Sequence, residues 1–328
     1  MANEATVLGM ASGRAPGPEG SRGGRIVAMM SVHALDPAFA IAARQVQDGT
    51  VPFVILGVAG ADGVARLEAF PPVEGPRIGT NAVYLLASIT KPIVTAAVIR
   101  LVQEGRFPLT EPLSRWLPEL DAAGLAPFTA WHVLTHTTGI GDVDLERLLR
   151  EGGDRSELIR RTISAGQDSL PGSQFRYASV TFDLLVDAVE RAMDRPFATV
   201  LRETVLDPIR MSDTTFDPAP SGGRRAPVVV GGWDGTHLAP GAGADTEGMV
   251  TSFSSLRLAG GGLWSTAHDL LRFGRAMLRG GELDGVRILG RPIVDLMTRE
   301  VTVNGLGTTA DRLSDSHYGI GWGKPGVA

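Results

Sequence analysis

The sequence predicts an α/β (α+β) sandwich, in which an antiparallel sheet flanked by helices carries an all-helical insertion. Two β-rich runs, 51–58 and 64–70, flank the turn pair Asp62-Gly63 and are typical of a hairpin. From 109 to 211 the apolar residues follow a helical period, with short loops and no strand pattern. After this stretch, Thr266-Ala267-His268-Asp269 is a helix-capping signal. Strands and helices at both ends of the chain therefore bracket a helical segment.

The predicted organisation follows from the changes in composition along the chain. Residues 1–30 are rich in glycine and proline, which favours a flexible leader. The sheet domain is expected to comprise 31–108 and 255–328, and the mostly helical insertion 109–254. Within the insertion, glycine, proline and Asp-Gly pairs predict a long loop over 218–248.

Individual elements are predicted on either side of the hairpin and in the insertion. An amphipathic helix is expected over 36–48, and a loop is expected to run from the hairpin to Tyr84. A further helix should begin at Ser88 and end near Gly105. Helical periodicity recurs over 145–165 and 182–195, and the capped helix should cover 270–278.

Composition excludes several classes of function. Of 328 residues 43% are hydrophobic and 20% charged, which indicates a globular chain. The net charge is −5 and the basic residues are scattered, so neither nucleic acid nor an anionic membrane is an expected partner. Cysteine is absent, which excludes disulfides and thiol catalysis. No apolar run is long enough for a secretory signal or a membrane span, and we expect a cytoplasmic protein.

The motif Ser88-x-x-Lys91 is the strongest candidate for chemistry. On a helix, positions three apart are neighbours, so the lysine amine can reach the serine hydroxyl as a base beside a nucleophile. Pro92 is tolerated only in a first turn, which places Ser88 at the helix N-terminus. Among 31 basic residues only Lys91 and Lys324 are lysines. Arginine is effectively never deprotonated, so position 91 is predicted to need a lysine; a surface lysine that survived an arginine-rich bias is the alternative.

Tyr177 is the second candidate. The chain has three tyrosines, and this one lies in the Pro171-Gly172 loop just before a predicted helix. A scarce phenol in such a loop is a candidate proton carrier, and the alternative is an amphipathic residue that caps the helix.

Metal, glycosidase and phosphate-binding chemistry find less support. The histidines lack zinc-ligand spacing, and His136 is predicted to be a structural hydrogen-bonding residue. Asp142 and Asp144 are interpreted as ordinary loop residues. The glycine run 260–262 lacks the Gly-Lys-Ser/Thr of a phosphate-binding loop, and no cofactor is predicted.

Taken in order, Ser88-Ile89-Thr90-Lys91, His136-Thr137-Thr138-Gly139 and the Tyr177 loop resemble the serine beta-lactamase and penicillin-binding-protein superfamily, and most closely class C beta-lactamases and family VIII carboxylesterases. The resemblance covers roughly 36 to 322 and includes the runs 260–266 and 281–289. It implies a beta-lactamase-like fold with Ser88 as the acylated nucleophile, Lys91 as its proton acceptor and Tyr177 as a proton shuttle. The Ser88 N–H would be one oxyanion donor, and Gly261 and Gly262 would bind substrate.

Two departures from the family qualify this expectation. Ser179 stands where beta-lactam-processing relatives have asparagine, which favours an esterase and makes Ser179 a candidate substrate-binding residue. The family's last motif, which supplies the second oxyanion donor, has only Lys324-Pro325-Gly326 as a candidate, and proline removes a strand N–H. The sheet domain is therefore expected to lack its C-terminal strands, and we expect the encoded chain to continue beyond Ala328.

The expected function is a serine hydrolase that cleaves small carboxylic esters through an acyl-enzyme on Ser88. A beta-lactamase, a D-amino peptidase or an acyl transferase is the alternative on the same scaffold. A non-catalytic relative that binds an acyl group or a partner is the alternative from another class. The expected ligand is a small ester or amide, and the sequence does not determine the oligomeric state.

Overall fold

The computed structural model describes residues 32–72, 77–217, 219, 222–228, 231–233, 238–240, 246–301, 307–308 and 317–324. The predicted leader 1–30 lies outside these residues. The helices are α1 (Asp36–Gln47), α2 (Thr90–Gln103), α3 (Pro118–Ala122), α4 (Ala130–Leu134), α5 (Leu145–Arg150), α6 (Arg155–Ser164), α7 (Thr181–Met193), α8 (Phe197–Leu201), α9 (Thr246–Ser255), α10 (Ala267–Leu278) and α11 (Arg291–Thr298). The strands are β1 (Val54–Ala59), β2 (Val64–Phe70), β3 (Val83–Leu85), β4 (Gln174–Phe175), β5 (Gly231–Trp233), β6 (Leu238–Pro240), β7 (Trp264–Thr266), β8 (Glu282–Leu283), β9 (Val286–Arg287), β10 (Gly307–Thr308), β11 (His317–Tyr318) and β12 (Gly323–Lys324).

The N-terminal hairpin is confirmed, with its first strand beginning at Val54 rather than at Val51. Strands β1 and β2 pair antiparallel from Val54–Phe70 to Ala59–Val64. Helix α10 lies close against β1, since a Cβ added at Gly57 would lie 2.9 Å from the Leu271 side chain. Glycine at this point lets a helix approach the sheet, as the predicted sheet-and-helix layers require.

The two ends of the predicted sheet domain meet in one strand pair. Strand β3 pairs antiparallel with β7, from Val83–Thr266 to Leu85–Trp264. The predicted loop up to Tyr84 is therefore wrong at its last residues. Isolated bridges Val83–Arg225 and Thr215–Trp264 extend this pair on both sides. The pair fixes the chain immediately before Ser88, while the exact domain boundaries stay a prediction.

Helix α2 is the centre of the main hydrophobic core. Ten of its residues are buried, and Ala96 and Ala97 are completely inaccessible to solvent. Small residues at mid-helix permit close packing of neighbouring segments. The helix is preceded by one 3-10 turn, Ala87–Ile89, so Ser88 lies just before the first α-helical turn. Pro92 is the third residue of α2, within the first turn where its missing N–H costs no intrahelical bond.

The middle of the chain is helical, as predicted, with three corrections. The stretch 145–165 forms two helices, because the chain turns at Gly152-Gly153 between α5 and α6. Two residues at 174–175 form the short strand β4, parallel to β10. The predicted loop 218–248 contains the antiparallel pair β5–β6, and α9 begins within it at Thr246; several of its residues lie outside the described part.

The C-terminal part contains two short hairpins, β8–β9 and β11–β12. Gly321, in the turn of the second one, is packed so closely on α2 that an added Cβ would lie 2.1 Å from Thr95 Oγ1. Lys324 ends β12, whereas Pro325 and Gly326 lie outside the described residues. No helix in the described part of the chain has the length and apolar character needed to cross a bilayer.

Candidate active site

Ser88 presents an exposed hydroxyl at the start of the central core helix. Its 3-10 turn begins at Ala87, which adopts φ +45°, a left-handed conformation that costs an L-residue roughly 1–2 kcal/mol. The sharp turn projects Ser88 out of the core although the next helix is buried. A nucleophile needs this combination of fixed backbone and accessible oxygen.

Lys91 is buried, with only 1% of its surface exposed. Its Nζ lies 3.1 Å from Ser88 Oγ, 3.0 Å from Ser179 Oγ and 2.7 Å from the carbonyl oxygen of Gly260. The amine thus has three polar neighbours, from three separate segments of the chain. Desolvation lowers the pKa of Lys91, and the nearby Tyr177, Asp142 and Asp183 oppose this only in part.

Tyr177 approaches Ser88 from the other side. Its hydroxyl donates to Ser88 Oγ over 2.7 Å, and its ring centroid lies 4.6 Å from Lys91 Nζ. The loop that carries it is attached to the segment after α4 by backbone bonds, in which the Arg176 N–H donates to the His136 carbonyl and the Gly172 N–H donates to the Thr137 carbonyl. These bonds fix the main chain of the loop and thereby position the phenol of Tyr177.

His136 packs against the ring of Tyr177, in agreement with the structural role predicted for it. It is buried, its ring centroid lies 4.3 Å from that of Tyr177, and its φ is +55°. Its Nδ1 accepts the Ala178 N–H, and its Nε2 lies 3.1 Å from the Tyr318 hydroxyl. Burial and the nearby Lys91 hold the pKa of His136 well below 6.5, so the ring is neutral and Nε2 carries the proton. Burial likewise raises the pKa of Tyr318 far above its usual value.

The remaining predicted residues are divided between the site and its framework. Ser179 contacts Lys91, and Gly261 lines the cavity beside Ser88. Gly262 does not line this cavity but packs on the backbone of Leu258, where an added Cβ would lie 2.6 Å from the Leu258 nitrogen, and its role in substrate binding stays a prediction. Gly260, for which the sequence predicts no role of its own, supplies the carbonyl that binds Lys91.

A cavity of about 190 Å³ opens beside Ser88 and brings two unpredicted carboxylates to the site. Asp142 Oδ1 accepts the Val180 N–H, and burial raises the pKa of this carboxyl. Asp183, on the first turn of α7, is 1% exposed. In the sequence Asp142 has the pattern of a loop residue, and Asp183 that of an acidic residue favoured by a helix N-terminus. No sequence signal separates either residue from those ordinary roles.

The arrangement of the three polar groups is one that can activate a hydroxyl as a nucleophile. An exposed hydroxyl lies within hydrogen-bond distance of both an amine with a lowered pKa and a phenol. Such groups can take the hydroxyl proton during attack and return it to a leaving group. The free N–H groups and dipole at the N-terminus of α2 favour negative charge that develops next to Ser88.

Comparison with known proteins gives a family and several relatives. A family model described as Beta-lactamase matches residues 38–326. The esterase EstB of Burkholderia gladioli is 33% identical over 240 residues, which are 65% of this chain and 60% of EstB. The D-alanyl-D-alanine-carboxypeptidase/endopeptidase AmpH of Escherichia coli K12 is 24% identical over 276 residues, which are 78% of this chain and 66% of AmpH. The chain thus spans less than two thirds of the length of each.

Among solved structures, the chain is similar to one titled "EstCE1, a hydrolase with promiscuous acyltransferase activity". The TM-score is 0.68 at 19% identity, and the match covers 92% of this chain and 84% of that one. At this identity the similarity shows the fold. The α/β fold expected from the sequence is therefore confirmed.

Proposed function

Because the chain belongs to the Beta-lactamase family, we propose that it is a serine hydrolase that cleaves small carboxylic esters through an acyl-enzyme on Ser88. The observation that carries the proposal is the convergence of two proton-transfer groups on one hydroxyl oxygen. Ser88 Oγ lies 3.1 Å from Lys91 Nζ and 2.7 Å from the Tyr177 hydroxyl.

The hydrogen bonds around Lys91 can accommodate a neutral amine in the reactive state. The Gly260 carbonyl can only accept, so one N–H of Lys91 must donate to it. A second N–H serves Ser179 Oγ. The lone pair of a neutral amine is then directed to the Ser88 O–H, and the burial that lowers the pKa of Lys91 favours this form.

The reaction proceeds in two balanced steps. In acylation, Ser88 Oγ bonds to the ester carbonyl carbon, its proton passes to Lys91, and the alcohol leaves with a proton delivered through Tyr177. In deacylation, a water molecule activated by the same groups attacks the acyl carbon and Ser88 regains its proton, so one ester and one water give one acid and one alcohol. The oxyanion of each tetrahedral intermediate is expected at the Ser88 N–H.

The contact of Ser179 favours esters over beta-lactams. Its hydroxyl lies 3.0 Å from Lys91 Nζ, where it is part of the proton-transfer network. A serine is shorter than the asparagine of beta-lactam-processing relatives and offers no amide to hold the side chain of a lactam or peptide. The name of the relative EstB is consistent with this preference, and that of AmpH keeps amide hydrolysis as the alternative.

A fluorophosphonate probe tests the proposed nucleophile. We expect stoichiometric labelling of the folded chain at Ser88, identified by peptide mass mapping, and no labelling of Ser88→Ala. Ser173→Ala is a matched control, because that serine lies in the Tyr177 loop and its hydroxyl donates to the Leu170 carbonyl. A folded chain that leaves Ser88 unlabelled would support the non-catalytic binding role instead.

Substrate choice is tested by comparing short-chain p-nitrophenyl esters with nitrocefin. We expect a much higher kcat/KM for the esters. Comparable values for the two would favour a beta-lactamase. Turnover of D-amino peptides would favour a D-amino peptidase, and acyl transfer to an added alcohol that exceeds hydrolysis would favour an acyl transferase.

A further inference from the structure

Two kinds of side chain line the cavity beside Ser88. The apolar ones, here called the apolar wall, are Val143, Leu145, Val180, Phe253 and Leu258. The acidic ones are Asp142 and Asp183. At about 190 Å³, the cavity is below the range of roughly 300–1,000 Å³ typical of small-molecule pockets. It therefore suits a short chain with an apolar body and a polar end.

Asp183 has an oxygen that the surrounding protein does not use. Its Oδ1 accepts the Ala259 N–H over 3.1 Å and lies 3.6 Å from Arg155 Nε. Its Oδ2 is buried and has no hydrogen-bond partner among the described residues. A buried carboxylate oxygen without a donor is costly, so a donor from a ligand would be strongly favoured there.

The charges around the cavity favour a cation. Asp142 and Asp183 both line it, whereas Arg155 lies behind Asp183 and does not. Lys91 and Arg176 are cations near these carboxyls; the lowered pKa of Lys91 weakens its positive charge, and Arg176 is paired with Asp168. Burial raises the pKa of Asp183 to about 6, which still leaves the carboxyl mainly ionised at neutral pH.

The position of the cavity indicates which part of an ester it receives. Ser179 and Gly261 line it, and Tyr177, through which the leaving alcohol receives its proton in the proposed reaction, does not. A substrate whose alcohol faces Tyr177 therefore directs its acyl chain into this cavity.

We propose that the cavity is an acyl pocket for short chains that end in an ammonium group, whose N–H donates to Asp183 Oδ2. This inference rests on the proposed ester hydrolysis at Ser88 and adds the class of acyl group. The apolar wall contacts the methylene groups, and Asp142 adds a second negative charge near the ammonium group.

Matched ester pairs test the pocket at about pH 7.5, where an aliphatic amine is protonated. The p-nitrophenyl ester of β-alanine is compared with p-nitrophenyl butanoate, and that of ε-aminocaproate with p-nitrophenyl heptanoate. Within each pair an ammonium group replaces a methyl group, and spontaneous hydrolysis is subtracted. We expect wild-type kcat/KM to favour the ammonium ester in at least one pair, by about tenfold or more, the scale of a charged hydrogen bond.

Asp183→Asn keeps an oxygen for the Ala259 N–H and removes the charge. We expect it to lower kcat/KM for the preferred ammonium ester about tenfold more than kcat/KM for its methyl partner. Asp187→Asn is the matched control on the same helix, because Asp187 pairs with Arg191 outside the cavity, and it should change neither ester. An equal loss for both esters in Asp183→Asn, or no ammonium preference in the wild type, overturns the proposal.

A measurement on the wild-type chain alone covers the case in which Asp183→Asn does not fold. Pentylammonium should inhibit hydrolysis of p-nitrophenyl acetate competitively, at about tenfold lower concentration than pentanol. Equal inhibition by the two compounds contradicts the pocket. If p-nitrophenyl acetate and butanoate are not hydrolysed at all, the proposed esterase function fails, which is a different result from hydrolysis without ammonium preference.

Discussion

Lys91 and Tyr177 contact the same oxygen of Ser88 but differ in their exposure to solvent. Lys91 is enclosed by Ser179 and the Gly260 carbonyl and is almost fully buried. Tyr177 is only partly buried, and it is held by its loop and by the ring of His136. Burial changes the proton affinity of the amine, whereas packing fixes the position of the phenol. Two proton-transfer groups in one site can thus be adapted to their task by different physical means, one by burial and the other by packing. Substitutions that affect each group should therefore change the kinetics in different ways.

The largest loss of activity is expected for substitution of the buried Lys91. Lys91→Arg keeps the positive charge but places a guanidinium that stays protonated where an amine must release its proton. We expect kcat/KM for short p-nitrophenyl esters to fall by about 10²-fold or more, the scale of a lost general base. Steady-state kinetics on a variant shown by circular dichroism to be folded measures this effect, and wild-type turnover would remove Lys91 from the role of base.

Loss of the phenol should cost a comparable factor. Tyr177→Phe keeps the ring over Lys91 and removes only the hydroxyl that contacts Ser88, so we expect a loss of about 10²-fold in kcat with the fold intact. Tyr84→Phe is the matched control, since the Tyr84 hydroxyl has no hydrogen-bond partner within the described residues. If Tyr177→Phe keeps full activity, the tyrosine has a packing role.

The pH dependence of kcat/KM should report the ionisation of the buried Lys91. Because the neutral amine is the reactive form, kcat/KM should rise about tenfold per pH unit up to the pKa of Lys91, which desolvation places below its ordinary 10.5. Between that lowered value and 10.5 the unfolded chain binds more protons, so this group makes the free energy of unfolding rise with pH. This contribution of Lys91 to stability is fully present above its pKa in the unfolded chain. It is lost as the pH falls through its lowered pKa in the folded chain. Kinetic and chemical-unfolding titrations measure both, and a profile without this limb contradicts the assignment.

A smaller effect on activity is expected for substitution of His136, which packs against the ring of Tyr177. His136→Asn tolerates the left-handed backbone but loses the ring that lies against Tyr177. We expect kcat to fall about tenfold with KM nearly unchanged, because a misplaced reacting group is costly even over small distances. The limb of the pH profile that rises towards the pKa of Lys91 should stay in place, since Lys91 keeps its contacts. A shift of that limb would show that His136 acts on Lys91 instead; the exposed His268→Asn is the control.

Much of the site was predictable because its side chains carry their own signals. Ser88 and Lys91 are linked by helical spacing, and the scarcity of lysine and tyrosine pointed to Lys91 and Tyr177. The structure brings these three groups together as predicted, while their chemical roles remain a proposal. Gly260 was missed because it acts through a backbone carbonyl, which any residue has.

The fold was predictable where a pattern is long enough to recur. The hairpin β1–β2 and the helices around the insertion follow from repeated periods. Strand β3 has three residues, too few for an alternation, and it exists because β7 pairs with it from the far end of the chain. Such elements depend on tertiary contacts that a local pattern does not contain.

The hydrogen bond from Lys91 to the Gly260 carbonyl joins residues 169 positions apart, and the bond to Ser179 joins residues 88 apart. Contacts of such long range form late, after loop closure has been offset by other docking events. Before that point the amine is hydrated and mostly protonated, so Ser88 remains an ordinary alcohol. We therefore expect reactivity towards acylating agents to require the folded chain, in which both contacts of Lys91 are made.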